Sequence, residues 1–93
     1  MIRNFDDAEA ESISKGERSK KLPSTIQNVA RRKLRIIEAA KVVEDLRIPP
    51  GNHLEKLVGN LEGLYSIRIN DQWRIVFKFE NGGAENVRIT DYH

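Results

Sequence analysis

Apolar residues recur along this chain with two different periods. Between Pro23 and Val43 they fall at Ile26, Val29, Ala30, Leu34, Ile37 and Ala40, then at Val42 or Val43. That spacing draws one apolar stripe down a helix and predicts that this face covers a core. Ser24 with Gln27 three residues on has the form of a capping box and is expected to start the helix. Upstream, Ile2 to Phe5 alternates and is read as a short first strand. Ala8, Ala10 and Ile13 allow a short helix, which Gly16 ends.

From Tyr65 onward the period is two. Tyr65, Ile67 and Ile69 alternate with Ser66, Arg68 and Asn70. Trp73, Ile75, Phe77 and Phe79 alternate with Arg74, Val76, Lys78 and Glu80. Val87 and Ile89 alternate with Asn86, Arg88 and Thr90. Asn81-Gly82-Gly83 is a turn, so these segments predict an antiparallel three-strand meander with one apolar face under the helices. Between helix and meander, Leu46-Arg47-Ile48-Pro49-Pro50-Gly51-Asn52 excludes both helix and central strand. His53 follows, then Leu54 and Leu57 as anchors to the core, and Gly59 and Gly63 flank a further turn. The expected class is α+β, with two to three helices on one face of a small, mostly antiparallel sheet. Residues 1–93 form a single domain in this reading.

The strand register decides where the charges go. A two-residue turn at Asp71-Gln72 would pair Ile69 with Arg74 and mix the faces. A three-residue loop, Asn70-Asp71-Gln72, pairs Ile69 with Trp73 and Ile67 with Ile75, and sets Arg68 opposite Arg74. Arg88 joins the same side, near Lys78 or Arg74. Arg68, Arg74, Lys78 and Arg88 thus converge on one sheet face. Glu80 and Glu85, the acids that could offset them, belong near the far turn. Unpaired like charges in facing positions are destabilising, and phosphate fits the arginine fork, so the face is read as a polyanion surface. Tyr92 has the parity of Arg88 and would stack a base from that face, while Asp91 points away from it. Arg31, Arg32, Lys33 and Arg35 are read as the solvated side of the long helix.

Charged residues make up 32% of the chain and its mean hydropathy is −0.57. No apolar run approaches the roughly 20 residues needed to cross a bilayer, and residues 1–7 carry no apolar signal region, so a cytoplasmic protein without a membrane partner is expected. The absence of cysteine excludes disulfides, thiol nucleophiles and Cys-ligated zinc. Two isolated histidines argue against a metal site. A net charge of +2 is compatible with nucleic-acid binding without implying it.

Those histidines, His53 and His93, are the candidate proton-transfer groups. RNA is cleaved without metal when a base takes the 2′-OH proton, the oxygen attacks its own phosphate, and an acid protonates the leaving 5′-oxygen. Cations stabilise the charge that builds on the phosphoryl oxygens. The chain holds parts for each role: His53 and His93, the cations Arg68, Arg74 and Arg88, Tyr92 for stacking or hydrogen bonding, and Asp91 to orient an imidazole. A non-catalytic module that grips RNA or the ribosome through the same face is the alternative.

Three segments carry a family resemblance: Leu46 through Leu57, Tyr65 through Phe77, and the final Asp91-Tyr92-His93. In this order they resemble the HigB-type toxins of the RelE-like toxin–antitoxin group. The resemblance implies the RelE-like fold of helices on a small antiparallel sheet. It implies an endoribonuclease that cuts translated mRNA in the A site of the ribosome (30S subunit of the 70S particle) in the bacterial cytoplasm, inhibiting translation without metal or other cofactor. It implies a helix-turn-helix antitoxin of the HigA type as partner, the pair binding its operator DNA. Active-site roles carry over to His53, Asp91, Tyr92 and His93, and phosphate contacts to Lys56, Arg68 and Arg74; Lys78 and Arg88 join these as RNA-binding residues on the strength of the basic face.

Overall fold

A computed structural model describes residues 1–58 and 63–91. The turn at Gly59, and both Tyr92 and His93, lie outside the described residues. Helix α1 spans Ala8–Ser14 and α2 Ser24–Ala39. Two 3-10 turns follow, Val43–Arg47 and Pro50–Asn52. The strands are β1, Glu55–Lys56; β2, Leu64–Arg68; β3, Trp73–Glu80; and β4, Gly83–Asp91. They form one antiparallel sheet in the order β1-β2-β3-β4, so the expected meander gains an edge strand next to the proline loop.

The apolar stripe of α2 packs as its spacing requires. Ile26, Ala30, Leu34, Ile37 and Ala40 are buried with Ala10 and Ile13 of α1 against Ile67, Ile75, Phe77, Val87 and Ile89 of the sheet. The expected capping box does not form. Pro23 holds the cap position without a side-chain bond. Gln27 instead turns back on the preceding loop, accepting from Ser19 N–H and donating to the carbonyls of Ser19 and Leu22, each at 2.9 Å. A buried amide with three bonds outcompetes a solvent-facing cap.

Asn81 and Gly82 both have positive φ, 52° and 77°, the geometry of a two-residue hairpin turn whose twist matches the strands. Gly83, next in line, admits the close approach of Arg3: a Cβ there would stand 2.6 Å from the guanidinium, which donates to the carbonyls of Glu80 (2.9 Å) and Asn81 (2.6 Å). The expected first strand is a correction: Ile2 and Phe5 make isolated parallel bridges to Ala84 and Val87 along the edge of β4. The register of β3 with β4 shifts between Val76 and Lys78, beside Asn86 at φ 55°. This bulge lets both Ala84 and Val87 face the core despite their opposite parity. Asp7 joins α1 to the sheet, because one carboxylate oxygen accepts from Glu9 N–H at 2.9 Å and the other from Ile89 N–H at 3.1 Å.

Candidate active site

The polar face of the sheet is built from three rows of facing residues. Glu55, Ser66, Val76 and Arg88 form one, Arg68, Arg74 and Thr90 the next, and Leu64, Lys78 and Glu85 the third. The three-residue loop that sets this register is closed by Ile69 N–H to the Trp73 carbonyl at 2.8 Å. The Asn70 side chain accepts from the Gln72 and Trp73 N–H groups. Arg68 therefore faces Arg74, as the alternation required. Arg88 stands opposite Val76, with Arg74 and Lys78 on either side of it along β3.

Arg68, Lys78 and Arg74 on this face are not unpaired, and for these three that expectation is corrected. Arg68 is bonded to Asp71, a fully exposed carboxylate at the hairpin tip. Lys78 lies 3.3 Å from Glu80. Arg74 is of another kind, since it is 8% exposed. Its Nε donates to Ser66 Oγ at 2.8 Å and its Nη2 to the carbonyls of His53 at 2.5 Å and Ser66 at 3.3 Å, while Glu55 approaches Nη1 to 3.8 Å. A planar fork can reach several acceptors at once, which an ammonium cannot. Arg88 is half-buried and, among the described residues, its side chain makes no hydrogen bond or ion pair.

His53 caps the Pro50–Asn52 turn in left-handed backbone, φ 44° and ψ 57°, with its side chain exposed. Asn52, beneath it, is 0% exposed. Its Nδ2 donates to the carbonyls of Leu46 (3.1 Å) and Ile48 (3.4 Å), and its Oδ1 accepts from the ammonium of Lys33. Lys33 is thus not on a solvated helix side. It is 7% exposed, and burial, with the like charges of Arg32 and Arg68, holds its pKa below the ordinary lysine range. Arg31 also turns inward and donates to the Ile13 carbonyl at 3.3 Å, which leaves Arg32 and Arg35 exposed.

Asp91 ends β4 opposite Trp73, so it projects on the other side of the sheet from Arg74 and Thr90, as its parity required. Its Oδ2 accepts from the Gln72 amide at 3.0 Å. Lys56 is exposed on β1 opposite Tyr65, in the row that continues to Phe77. Strand parity therefore separates it from the arginine rows. The structure brings the His53 backbone, Arg68, Arg74 and Thr90 to one end of the sheet, with Arg88 and Asp91 on the same strand as Thr90. Sequence reasoning missed Lys33, Asn52 and Ser66. The pairings that reveal them, Lys33 to Asn52 and Arg74 to Ser66, span 19 and 8 residues.

Comparison with known proteins adds the lineage. Over 87 residues, 92% of each chain, the protein is 45% identical to a protein of Vibrio cholerae serotype O1 named Toxin HigB-1. It is 43% identical over 72 residues to an uncharacterised protein of Haemophilus influenzae, covering 77% of this chain and 71% of the other. Over 40 residues, 43% of this chain and 44% of the relative, it is 45% identical to a Proteus vulgaris protein named Endoribonuclease HigB. The family profile described as HigB-like toxin, RelE-like toxin of type II toxin–antitoxin system HigB, matches residues 4–93. With its two helices on a four-stranded antiparallel sheet, the chain belongs to the HigB-like family of RelE-like toxins.

Proposed function

We propose that this toxin is an endoribonuclease that cuts translated mRNA in the ribosomal A site, and that growth inhibition follows from the loss of messages. The observation that carries this reading is the arginine row. Arg68 faces Arg74 across one ladder, and Arg74 holds the carbonyl of the exposed His53. A phosphodiester laid on Arg68 and Arg88 would stand among cations with an imidazole on the adjoining loop. The relative named Endoribonuclease HigB supports the same chemistry.

In this mechanism one of His53 and His93 takes the 2′-OH proton. The 2′-oxygen bonds to phosphorus, the bond from phosphorus to the 5′-oxygen breaks, and a protonated group returns the proton to that oxygen. The products are a 2′,3′-cyclic phosphate and a 5′-hydroxyl, so the step balances without metal or other cofactor. Arg68, Arg74 and Arg88 stabilise the charge on the phosphoryl oxygens. Lys56 and Lys78 hold flanking phosphates of message or ribosomal RNA. Tyr92 stacks on a base, and Asp91 acts as an orienting group near the end of β4.

As a toxin of a type II system the chain pairs with an antitoxin. We assign that partner to the helix-turn-helix HigA type, the pair binding its own operator DNA, in the bacterial cytoplasm. No helix among the described residues is long and apolar enough to cross a membrane.

Primer extension on a translated message after brief induction tests the reading. Codon-aligned breaks are expected. They should vanish when Asp91 to His93 are removed, with the circular dichroism of helix and sheet retained. Intact message under stalled ribosomes would overturn cleavage in favour of a non-catalytic RNA- and ribosome-binding block of the A site.

A further inference from the structure

The turn that presents His53 is held from both sides. Its carbonyl is gripped from β3 by Arg74. From the core side Asn52 ties the turn to Leu46 and Ile48, and the ammonium of Lys33 on α2 ties Asn52 in turn. Left-handed backbone at a residue other than glycine is strained, and such a conformation persists where its surroundings over-determine it. The grip itself is also costly. An ammonium buried at 7% exposure beside Arg32 and Arg68 gives up hydration and meets like charge. A chain needing only to fill this place on α2 would do better with an apolar side chain of similar length. The expense falls on a contact that helps to fix the residue before His53.

We infer that Lys33 and Asn52 are positioning residues for His53: the buried Lys33–Asn52 hydrogen bond fixes the left-handed turn that carries the exposed imidazole next to the Arg74 clamp. This rests on the reading of His53 as a proton-transfer group. Neither Lys33 nor Asn52 touches substrate. They act through the placement of an imidazole that must lie within hydrogen-bond reach of the proton it moves.

The test uses Lys33→Met, which keeps the apolar stem and removes the donor. A second variant, Asn52→Asp, keeps the acceptor for Lys33 and removes the donors to Leu46 and Ile48. In cleavage of ribosome-bound message, each should lower kcat by about 10- to 100-fold, the scale of a misplacement near 1 Å, with KM within about twofold of wild type. On a His53→Gln background, Lys33→Met should cost almost nothing more, because residues acting through one group are not additive. Independently of activity, amide hydrogen exchange at Asn52 and His53 should quicken in Lys33→Met while exchange within β3 stays unchanged.

Wild-type kcat in both variants, or an undiminished loss on the His53→Gln background, would overturn the inference and leave the proposed nuclease standing. If the wild-type chain cleaves no message, the proposed function fails and exchange alone decides. Faster exchange at 52 and 53 would then sustain the positioning, and unchanged exchange would sink it.

Discussion

Arg74→Ala separates two roles for an arginine on a basic sheet face. If Arg74 served phosphate alone, its removal would behave as a surface substitution, within about 0.5 kcal/mol. The structure predicts much more. Truncation takes donors from Ser66 Oγ and from the carbonyls of His53 and Ser66, at a residue only 8% exposed. Hydrogen bonds to a charged group contribute about 1.5–3 kcal/mol each, and breaking a buried charged network costs about 3–5 kcal/mol. Glu55, more than half exposed and 3.8 Å away, adds little. A loss of about 3–5 kcal/mol is expected, out of the roughly 5–14 kcal/mol that a domain of this length holds.

At roughly 4–8 °C per kcal/mol, Tm should fall by about 12 °C or more. Urea denaturation followed by circular dichroism should show a lower midpoint at unchanged slope. Arg74→Lys keeps the charge but reaches one acceptor, and should lose about half as much. Arg88→Ala is the control. The Arg88 side chain makes no hydrogen bond or ion pair among the described residues, so its removal should leave stability within about 0.5 kcal/mol while weakening RNA binding and flattening its salt dependence. Equal, near-zero stability changes for Arg74→Ala and Arg88→Ala would refute the clamp.

Three further predictions concern the scaffold. Asp7→Ala removes the acceptor for Glu9 N–H and for Ile89 N–H and should cost about 1–3 kcal/mol in thermal denaturation, with Asp7→Asn recovering part of it. Gln27→Ala strips the loop at Ser19 and Leu22 of its bonds and should cost about 2–4 kcal/mol, read as a lower urea midpoint with earlier proteolysis near Ser19. The carboxyl of Asp45 is held below the usual carboxylate range, chiefly by accepting from the Lys41 N–H and then from that of Val42. Its contribution is therefore present above the unfolded Asp pKa and lost as pH falls through the folded one. The stability difference between wild type and Asp45→Asn should be constant at neutral pH and vanish in acid; a constant difference throughout would contradict it.

What the sequence made legible is what local period encodes. The stripe on α2, the Ile67–Ile75 and Arg68–Arg74 pairs and the parity that turns Asp91 away from the arginine face all follow from side chains repeating every 3.6 or every two positions. Interactions that close only with the tertiary fold were hidden. Lys33 stands in a run of cations, Arg31 to Arg35, and nothing within that run shows that a turn 19 residues on offers an amide oxygen to it. Gln27 matched a local capping pattern, yet the loop around Ser19 competed for its amide and won. The bulge at Asn86 was hidden for a similar reason. Val87 and Ile89 keep one parity, and the change shows only where Ala84 enters the core.

The same contrast sorts the cations of the candidate site. Arg68 rests on Asp71, which is exposed at the loop tip, and Lys78 on the half-exposed Glu80. Exposed pairs of this kind are worth about 0–1 kcal/mol, so an incoming polyanion exchanges one weak partner for another at little cost. Arg74 rests on a backbone carbonyl, a strand hydroxyl and a second carbonyl, all at a buried position. Giving these up to meet a phosphate would forfeit several kcal/mol and release the turn that carries His53. On the proposed reading, then, the row opposite a bound phosphate divides its work. Arg68 on β2, with Arg88 two strands away on β4, yields its donors to the substrate. Arg74 keeps its donors, contributes its positive field at short range, and holds the imidazole in place. A face of like charges is then tolerable at rest because Arg68 and Lys78 each have a partner that they can release, and Arg74, which cannot release its partners, is the one that supports the site.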